Sequence, residues 1–226
     1  MRTEADAALA LLGDYVDNKA ASLKISSIVG LGLAYVGSHR EDLLNMLNPI
    51  VSDDSVSMEI ASLTALSLGF IFVGSGNGEI ASTILQTLME RDDKQLEEKW
   101  TRFMLLGLAL LYLGLQDGSD ATIETLKAIE HPLSKQAVVL VQTCSYAGTG
   151  DVLKIQEMLH HCDEHIVKPS KDEKKESEKK DEKDATAEEP PKDDTFQSFA
   201  VLGIALVAMG EEVGSEMSMQ IGRAHV

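Results

Sequence analysis

Aromatic side chains are scarce in this chain: one Trp, four Tyr and five Phe make up 4% of 226 residues. Sheet-built cores lean on aromatic and β-branched residues, whereas the plentiful Ala, Leu, Gly and Met suit closely packed helices, so an all-α fold is expected. Cysteine is nearly missing as well. Cys144 and Cys162 are the two that occur, and with no signal-peptide pattern in the chain they point to a reducing compartment and no disulfide framework. The longest apolar run, Phe103 to Leu115, has 13 residues. A bilayer span needs about 20, so this run reads as a buried core helix. Basic charge is in deficit, with 20 Lys and Arg against 37 Asp and Glu and a net charge of −17. Such a field repels nucleic-acid phosphates and anionic membrane surfaces and favours partners with a basic face.

What the chain does have is repetition. The stretch GLGLAYVGS at 30–38 overlaps a nucleotide-binding glycine fingerprint, but its outline returns as LSLGFIFVGS, LGLALLYLG, VQTCSYAG and LGIALVAMG. A phosphate loop would occur once, after a strand and inside a βαβ unit. Aligning the last glycine of each copy gives Gly37, Gly74, Gly114, Gly148 and Gly210, with separations of 37, 40, 34 and 62. The first three are periods of helical repeat arrays. Seven residues before the anchor stand Gly30, Ser67, Gly107, Val141 and Gly203, and five before it Gly32, Gly69, Ala109, Thr143 and Ala205, which are mostly small. Bulk fills the positions two before (Tyr35, Phe72, Tyr112, Tyr146, Ala208) and four before (Leu33, Phe70, Leu110, Cys144, Leu206), the latter expected as a core column.

A helix apolar nearly all round with small residues on one side is expected to be an inner helix that lets a neighbouring backbone come close. The anchor glycines then end it in the left-handed conformation. After each turn an amphipathic segment follows: Asp42 to Val51, Glu79 to Met89, Ala121 to Ile129 and Asp151 to Leu159, with Ala5 to Val16 as the outer element of a preceding repeat. The predicted unit is an inner Gly/Ala-rich helix, a glycine turn and an outer amphipathic helix, stacked into an α-solenoid. The array is expected over 1–166 and again over 196–220. Between them, 167–195 holds the run Lys168 to Asp194 with 8 Lys, 11 acidic residues and three Pro, a composition unable to offset its ordering entropy and expected to be a disordered, solvated insertion. The final residues 221–226, IGRAHV, break the pattern and are expected to be a non-native tail on a fragment of a longer protein.

Candidates for chemistry are few. His160, His161, Cys162, Asp163, Glu164 and His165 superficially resemble a metal site, but they stand where a helix gives way to the charged run, where the dipole alone favours histidine; no metal and no cofactor are expected. No Ser or Cys sits in a nucleophile motif with a paired base. The acidic stripes carry more. Glu79, Gln86 and Glu90 fall within about 40° on one helix face, given ~100° per residue. Thr83 borders them, Glu41 and Asp42 come from the preceding outer helix, and Asp120 and Glu124 from the next. Such a groove suits a basic partner with an apolar centre.

The segments ISSIVGLGLAYVGSHREDLLNMLNPIV, TALSLGFIFVGSGNGEIASTILQTLMER and AVLGIALVAMGEEVGSEM resemble the proteasome/cyclosome repeats of the large scaffold subunits of the 26S proteasome, and the likeness runs to Met219. NGEIASTILQTLMER and VAMGEEVGSEM are its most specific parts. The resemblance implies an α-helical toroid that is not an enzyme. It implies as partners ubiquitin chains, the ubiquitin-like domains of shuttle receptors, the proteasomal ATPase ring and other base subunits, in cytoplasm and nucleus. In that family the ubiquitin site uses the outer helices of three consecutive repeats, here Ala5 to Val16, Asp42 to Val51 and Glu79 to Glu90. Of three acidic positions on the last, two match as Glu79 and Glu90; the middle one is Gln86, which keeps an acceptor and loses a charge, so reduced affinity is expected. Thr83, Glu41 and Asp42 border the same surface. Two other readings stand beside this one: another helical-repeat scaffold without ubiquitin binding, and an enzyme using the glycines for a nucleotide.

Overall fold

The computed structural model describes residues 6–163 and 195–224; the charged run and the residues Glu164 and His165 lie outside the described residues. Every regular element among the described residues is helical. In chain order they are α1 (Ala7–Leu12), continued by a 3-10 turn (Gly13–Tyr15), α2 (Ala21–Ala34), α3 (Glu41–Val51), α4 (Met58–Ile71), α5 (Gly78–Glu90), α6 (Asp93–Leu96), α7 (Thr101–Leu111), a second 3-10 turn (Gln116–Ser119), α8 (Asp120–Lys127), α9 (Leu133–Ser145), α10 (Val152–Asp163), α11 (Thr195–Val207) and α12 (Glu212–Ala224). The inner helices α2, α4, α7, α9 and α11 pack in sequence against one another, and α3, α5, α8 and α10 flank them. This is the α-solenoid that the glycine columns predict. One core runs through it from Val16 to Cys144, and burial in that core pushes the Cys144 thiol up to about 11, so it stays protonated near neutral pH.

The two small columns turn out to be partners. A Cβ added at Gly32 would stand 2.7 Å from the Cβ of Ser67, one at Gly69 2.5 Å from the carbonyl oxygen of Gly107, and one at Gly203 2.6 Å from Oγ1 of Thr143. In each case the residue five before one anchor meets the residue seven before the next. At the first repeat it is Leu12 of α1 that lies against Gly30. Buried hydroxyls at these junctions satisfy themselves within their own helix: Thr64 donates to the carbonyl of Ile60 at 2.7 Å and Ser67 to that of Leu63 at 2.8 Å. These two small polar residues therefore sit in the interface with their donors satisfied, whereas the hydroxyls of Ser62 and Thr143 are buried without a hydrogen-bond partner.

All five anchor glycines have positive φ, between +68° and +85°. The turn does more than end a helix. The amide of Gly37 donates to the carbonyl of Phe70 at 2.9 Å, Gly74 to Leu110 at 2.9 Å, Gly114 to Cys144 at 3.0 Å and Gly148 to Leu206 at 2.8 Å. Each donor thus reaches across to a carbonyl near the end of the next inner helix, where the regular i+4 partner is lost; those of Leu110, Cys144 and Leu206 also accept a longer local bond, from Leu113, Ala147 and Met209 at 3.2, 3.4 and 3.4 Å. Two residues further on the backbone turns left-handed again, at His39, Gly76, Gln116 and Gly150. From there His39, Gly76 and Gly150 donate to Ile71, Leu111 and Val207 at 3.1, 2.8 and 2.8 Å.

Two expectations need correction. The element Ala5 to Val16 is not one helix: α1 gives way at Gly13 to a 3-10 turn. The column four before the anchor is not uniformly core, because Leu33 is 60% exposed and Phe70, Leu110 and Leu206 are only partly buried. Successive inner helices meet along the small columns, which leaves this apolar edge beside the contact and its carbonyls within reach of the turn. The longest of the first three spacings, from Gly74 to Gly114, accommodates the short α6, which the periodicity did not indicate.

The interlock sets the direction of a substitution test. Gly107→Ala would bring a methyl 2.4 Å from the carbonyl oxygen of Ala65, backbone that cannot swing aside, so the gain in helix propensity is outweighed and urea denaturation should show a loss of about 2–3 kcal/mol. Gly30→Ala meets only the flexible Leu12 side chain at 2.9 Å and should change stability by less than ~1 kcal/mol. Equal effects would rule out close backbone contact between α4 and α7.

Candidate functional site

The outer layer places the predicted residues along α3 and α5. Asn77 starts α5 by accepting a hydrogen bond from the Ile80 amide at 3.1 Å. The stripe Ile80, Ile84 and Leu88 is buried beneath the helix. Opposite it Glu79, Gln86 and Glu90 are exposed, with Thr83 partly buried at their edge, as helical spacing requires. Glu41 and Asp42 form the exposed first turn of α3. Between the starts of α3 and α5 lies a groove of about 470 Å³ whose walls include His39, Glu41, Asn45, Phe72 and Glu79. The His39 ring stacks on Phe72 with centroids 5.8 Å apart. Glu41 and Glu79, 38 positions apart in sequence, thereby share one concave surface.

The six residues differ in how far they are engaged. Gln86 donates from Nε2 to Oε1 of Glu90 at 2.8 Å, so the position that lacks a charge instead holds its acidic neighbour. Asn48 donates from Nδ2 to Oε1 of Glu79 at 3.3 Å and to Oγ1 of Thr83 at 3.1 Å. Asp42 is taken by Arg40, whose Nε lies 2.9 Å from Oδ1 and whose second nitrogen bonds Oδ2. That fork holds the Asp42 carboxyl below the usual carboxylate range. Arg40 also bonds Asp6, before α1, and stacks at 4.8 Å over Tyr35. Asp42 is therefore a link between outer elements before it is a contact for anything else. Of the next repeat's acids, Glu124 is paired with Lys127 at 2.8 Å.

Sequence reasoning did not find the residues that tie the outer helices together. Asp6–Arg40–Asp42 joins the start of α1 to α3, and Tyr35 reinforces this by accepting the Leu9 amide at 3.0 Å. Asn48 and Thr87 join α3 to α5, the latter sharing its one hydroxyl proton between the carbonyl of Thr83 in its own helix at 2.8 Å and that of Val51 at 3.3 Å. Arg91 closes the far end. Its side chain is 2% exposed, its Nη2 donates to the carbonyl of Asp53 at 2.8 Å, and its Nη1 lies 3.5 and 3.4 Å from those of Asp54 and Val56. A guanidinium's planar array of donors suits three carbonyls of one loop. The only signal in the sequence was an arginine directly after an amphipathic helix.

Elsewhere, His161 packs edge-on to Phe196 at 6.4 Å, and no cluster of metal-ligating side chains occurs among the described residues. No helix among them is long and apolar enough to cross a membrane.

Layering, glycine columns and cross-repeat capping define the class: a helical-repeat protein with an acidic outer face. A family model described as the proteasome/cyclosome repeat matches residues 26–60, which take in most of α2, its glycine turn, α3 and the start of α4. The 26S proteasome regulatory subunit rpn1 of Schizosaccharomyces pombe is 54% identical over 83% of this chain and 19% of its own length. The subunit rpn-1 of Neurospora crassa is 45% identical over 97% of the chain and 23% of its own length, and the 26S proteasome non-ATPase regulatory subunit 2 of Dictyostelium discoideum 41% identical over 98% and 22%. The chain belongs to the proteasome/cyclosome repeat family, among the 26S proteasome regulatory subunits of the rpn1 and non-ATPase subunit 2 type. It spans about a fifth of the length of those relatives.

Arg91→Met removes the donors and leaves three loop carbonyls facing an apolar side chain. Urea denaturation should show a loss of about 2–4 kcal/mol, and Arg91→Lys should recover little of it, because one ammonium cannot span the three acceptors. A variant as stable as the parent would mean that the loop holds itself.

Proposed function

We propose that this chain is part of a non-catalytic scaffold of the 26S proteasome base, and that its outer face over α1, α3 and α5 receives ubiquitin. The observation that carries the reading is the exposed Glu79 and Glu90 on one face of α5, beside a groove to which α3 contributes Glu41. A ubiquitin surface that joins an apolar patch to a basic rim complements such a face, with the rim charges steering and orienting more than they bind. The relatives are 26S proteasome regulatory subunits, which supports a place in that assembly, in cytoplasm and nucleus. Ubiquitin chains and the ubiquitin-like domains of shuttle receptors are the partners on the outer face; ATPase and other base subunits are partners in assembly. Two acids rather than three make contact by charge, while Gln86 acts by holding Glu90.

The net charge of −17 argues against nucleic acid and anionic membranes as partners. A second reading, a repeat scaffold that does not bind ubiquitin, remains the outcome to exclude. Titrating ¹⁵N-labelled ubiquitin with the chain should give saturable shifts centred on the apolar patch, weakening as salt rises. Glu79→Arg with Glu90→Arg, checked for unchanged helicity, should abolish them. Absence of shifts from a folded chain would leave the scaffold reading alone standing.

A further inference from the structure

Resting on that reading, we propose that Asn48 is a positioning residue: from one repeat it fixes the Glu79 carboxylate of the next, so that the receptor face is set at a junction between repeats.

The hydrogen bonds leave one consistent orientation for the Asn48 amide. Thr83 donates its hydroxyl to the carbonyl of Glu79 at 3.0 Å and is therefore an acceptor toward Asn48. Oε1 of Glu79 is an acceptor too. Both lie within reach of Nδ2, at 3.1 and 3.3 Å, so the amide nitrogen faces α5. The amide oxygen is then buried without a hydrogen-bond partner. An unpaired buried acceptor costs stability, and an apolar side chain would avoid that cost. Asn at this place is not explained by stability; the two bonds made by its nitrogen are what it adds.

Asn48 also stands apart from the other links between α3 and α5. Thr87 reaches the last backbone carbonyl of α3 and Arg91 those of the loop after it, whereas Asn48 ends on the carboxylate that the receptor reading requires. Nor does stacking in general need it. Asn48 lies eleven residues after its anchor glycine, where the following repeats carry Leu85, Thr125 and Leu159. The amide appears at the junction that carries Glu79. A glutamate on an open helix face must lose rotamer freedom when a cation docks, and one already restrained loses less. Asn48 engages Oε1 alone, which leaves the carboxylate's second oxygen for an incoming cation.

The test is a double-mutant cycle read by ubiquitin titration on the full chain, using Asn48→Ala, Glu79→Ala and the pair, with helicity and melting followed in parallel. Asn48→Ala should weaken binding about threefold to tenfold when Glu79 is present and not at all in the Glu79→Ala background. The near-isosteric Asn48→Asp separates positioning from charge: it adds an acid to an acidic face yet removes the donor, and should bind no better than Asn48→Ala. Affinity lost equally in both backgrounds, or an Asn48→Asp variant that binds more tightly than the parent, would overturn the assignment and leave the receptor reading intact. A parent chain that does not bind ubiquitin at all would end the receptor reading, and the role of Asn48 with it.

Discussion

The hydrogen bond from each of the first four anchor glycines to the next inner helix is the constraint from which the other contacts follow. A helix leaves its last carbonyls without internal partners. Here those of Phe70, Leu110, Cys144 and Leu206 are each met by the amide of the preceding turn, and only a backbone turned left-handed at the anchor offers its N–H in that direction. Glycine adopts that conformation without the steric cost that other residues carry. The same residue therefore ends one helix and caps its neighbour. The small columns act alongside it, since Gly69 against Gly107 and Gly32 against Ser67 fix how closely the helices approach, while the turn fixes their register.

The outer layer inherits this spacing. The helices α3 and α5 hang from successive turns, and the links at Asn48, Thr87 and Arg91 join positions already brought opposite each other. Acids on separate repeats become one surface because the inner helices repeat so closely. The division of labour is also electrostatic. The inner layer buries apolar and small polar groups, and acids such as Glu41, Glu79 and Glu90 lie on the solvated side, where like charges cost little.

Much of this was legible in the sequence because it is periodic. The anchors Gly37, Gly74, Gly114 and Gly148, the small columns and the face shared by Glu79, Gln86 and Glu90 follow from spacing along single helices. What spacing did not disclose was which elements meet. Leu33 looked like core but lies on an edge that the next helix does not cover. The bend at Gly13 and the short α6 are local departures without a periodic signal. At the candidate site Asp42 was counted with the acids bordering the groove, although Arg40 two residues earlier engages it. Asn48 and Arg91 were invisible as links because their partners lie more than 30 positions away, on another repeat.

Hydrogen exchange at the four anchor-glycine amides tests this account most directly. Gly37 and Gly114 are exposed as residues, so as ordinary turns their amides would exchange quickly. Bonded to the next repeat, the amides of Gly37, Gly74, Gly114 and Gly148 should be protected to the same degree as the inner helices and open with them as a unit. Fast exchange at these glycines while the helices on either side stay protected would contradict the claim that the turns hold the array together.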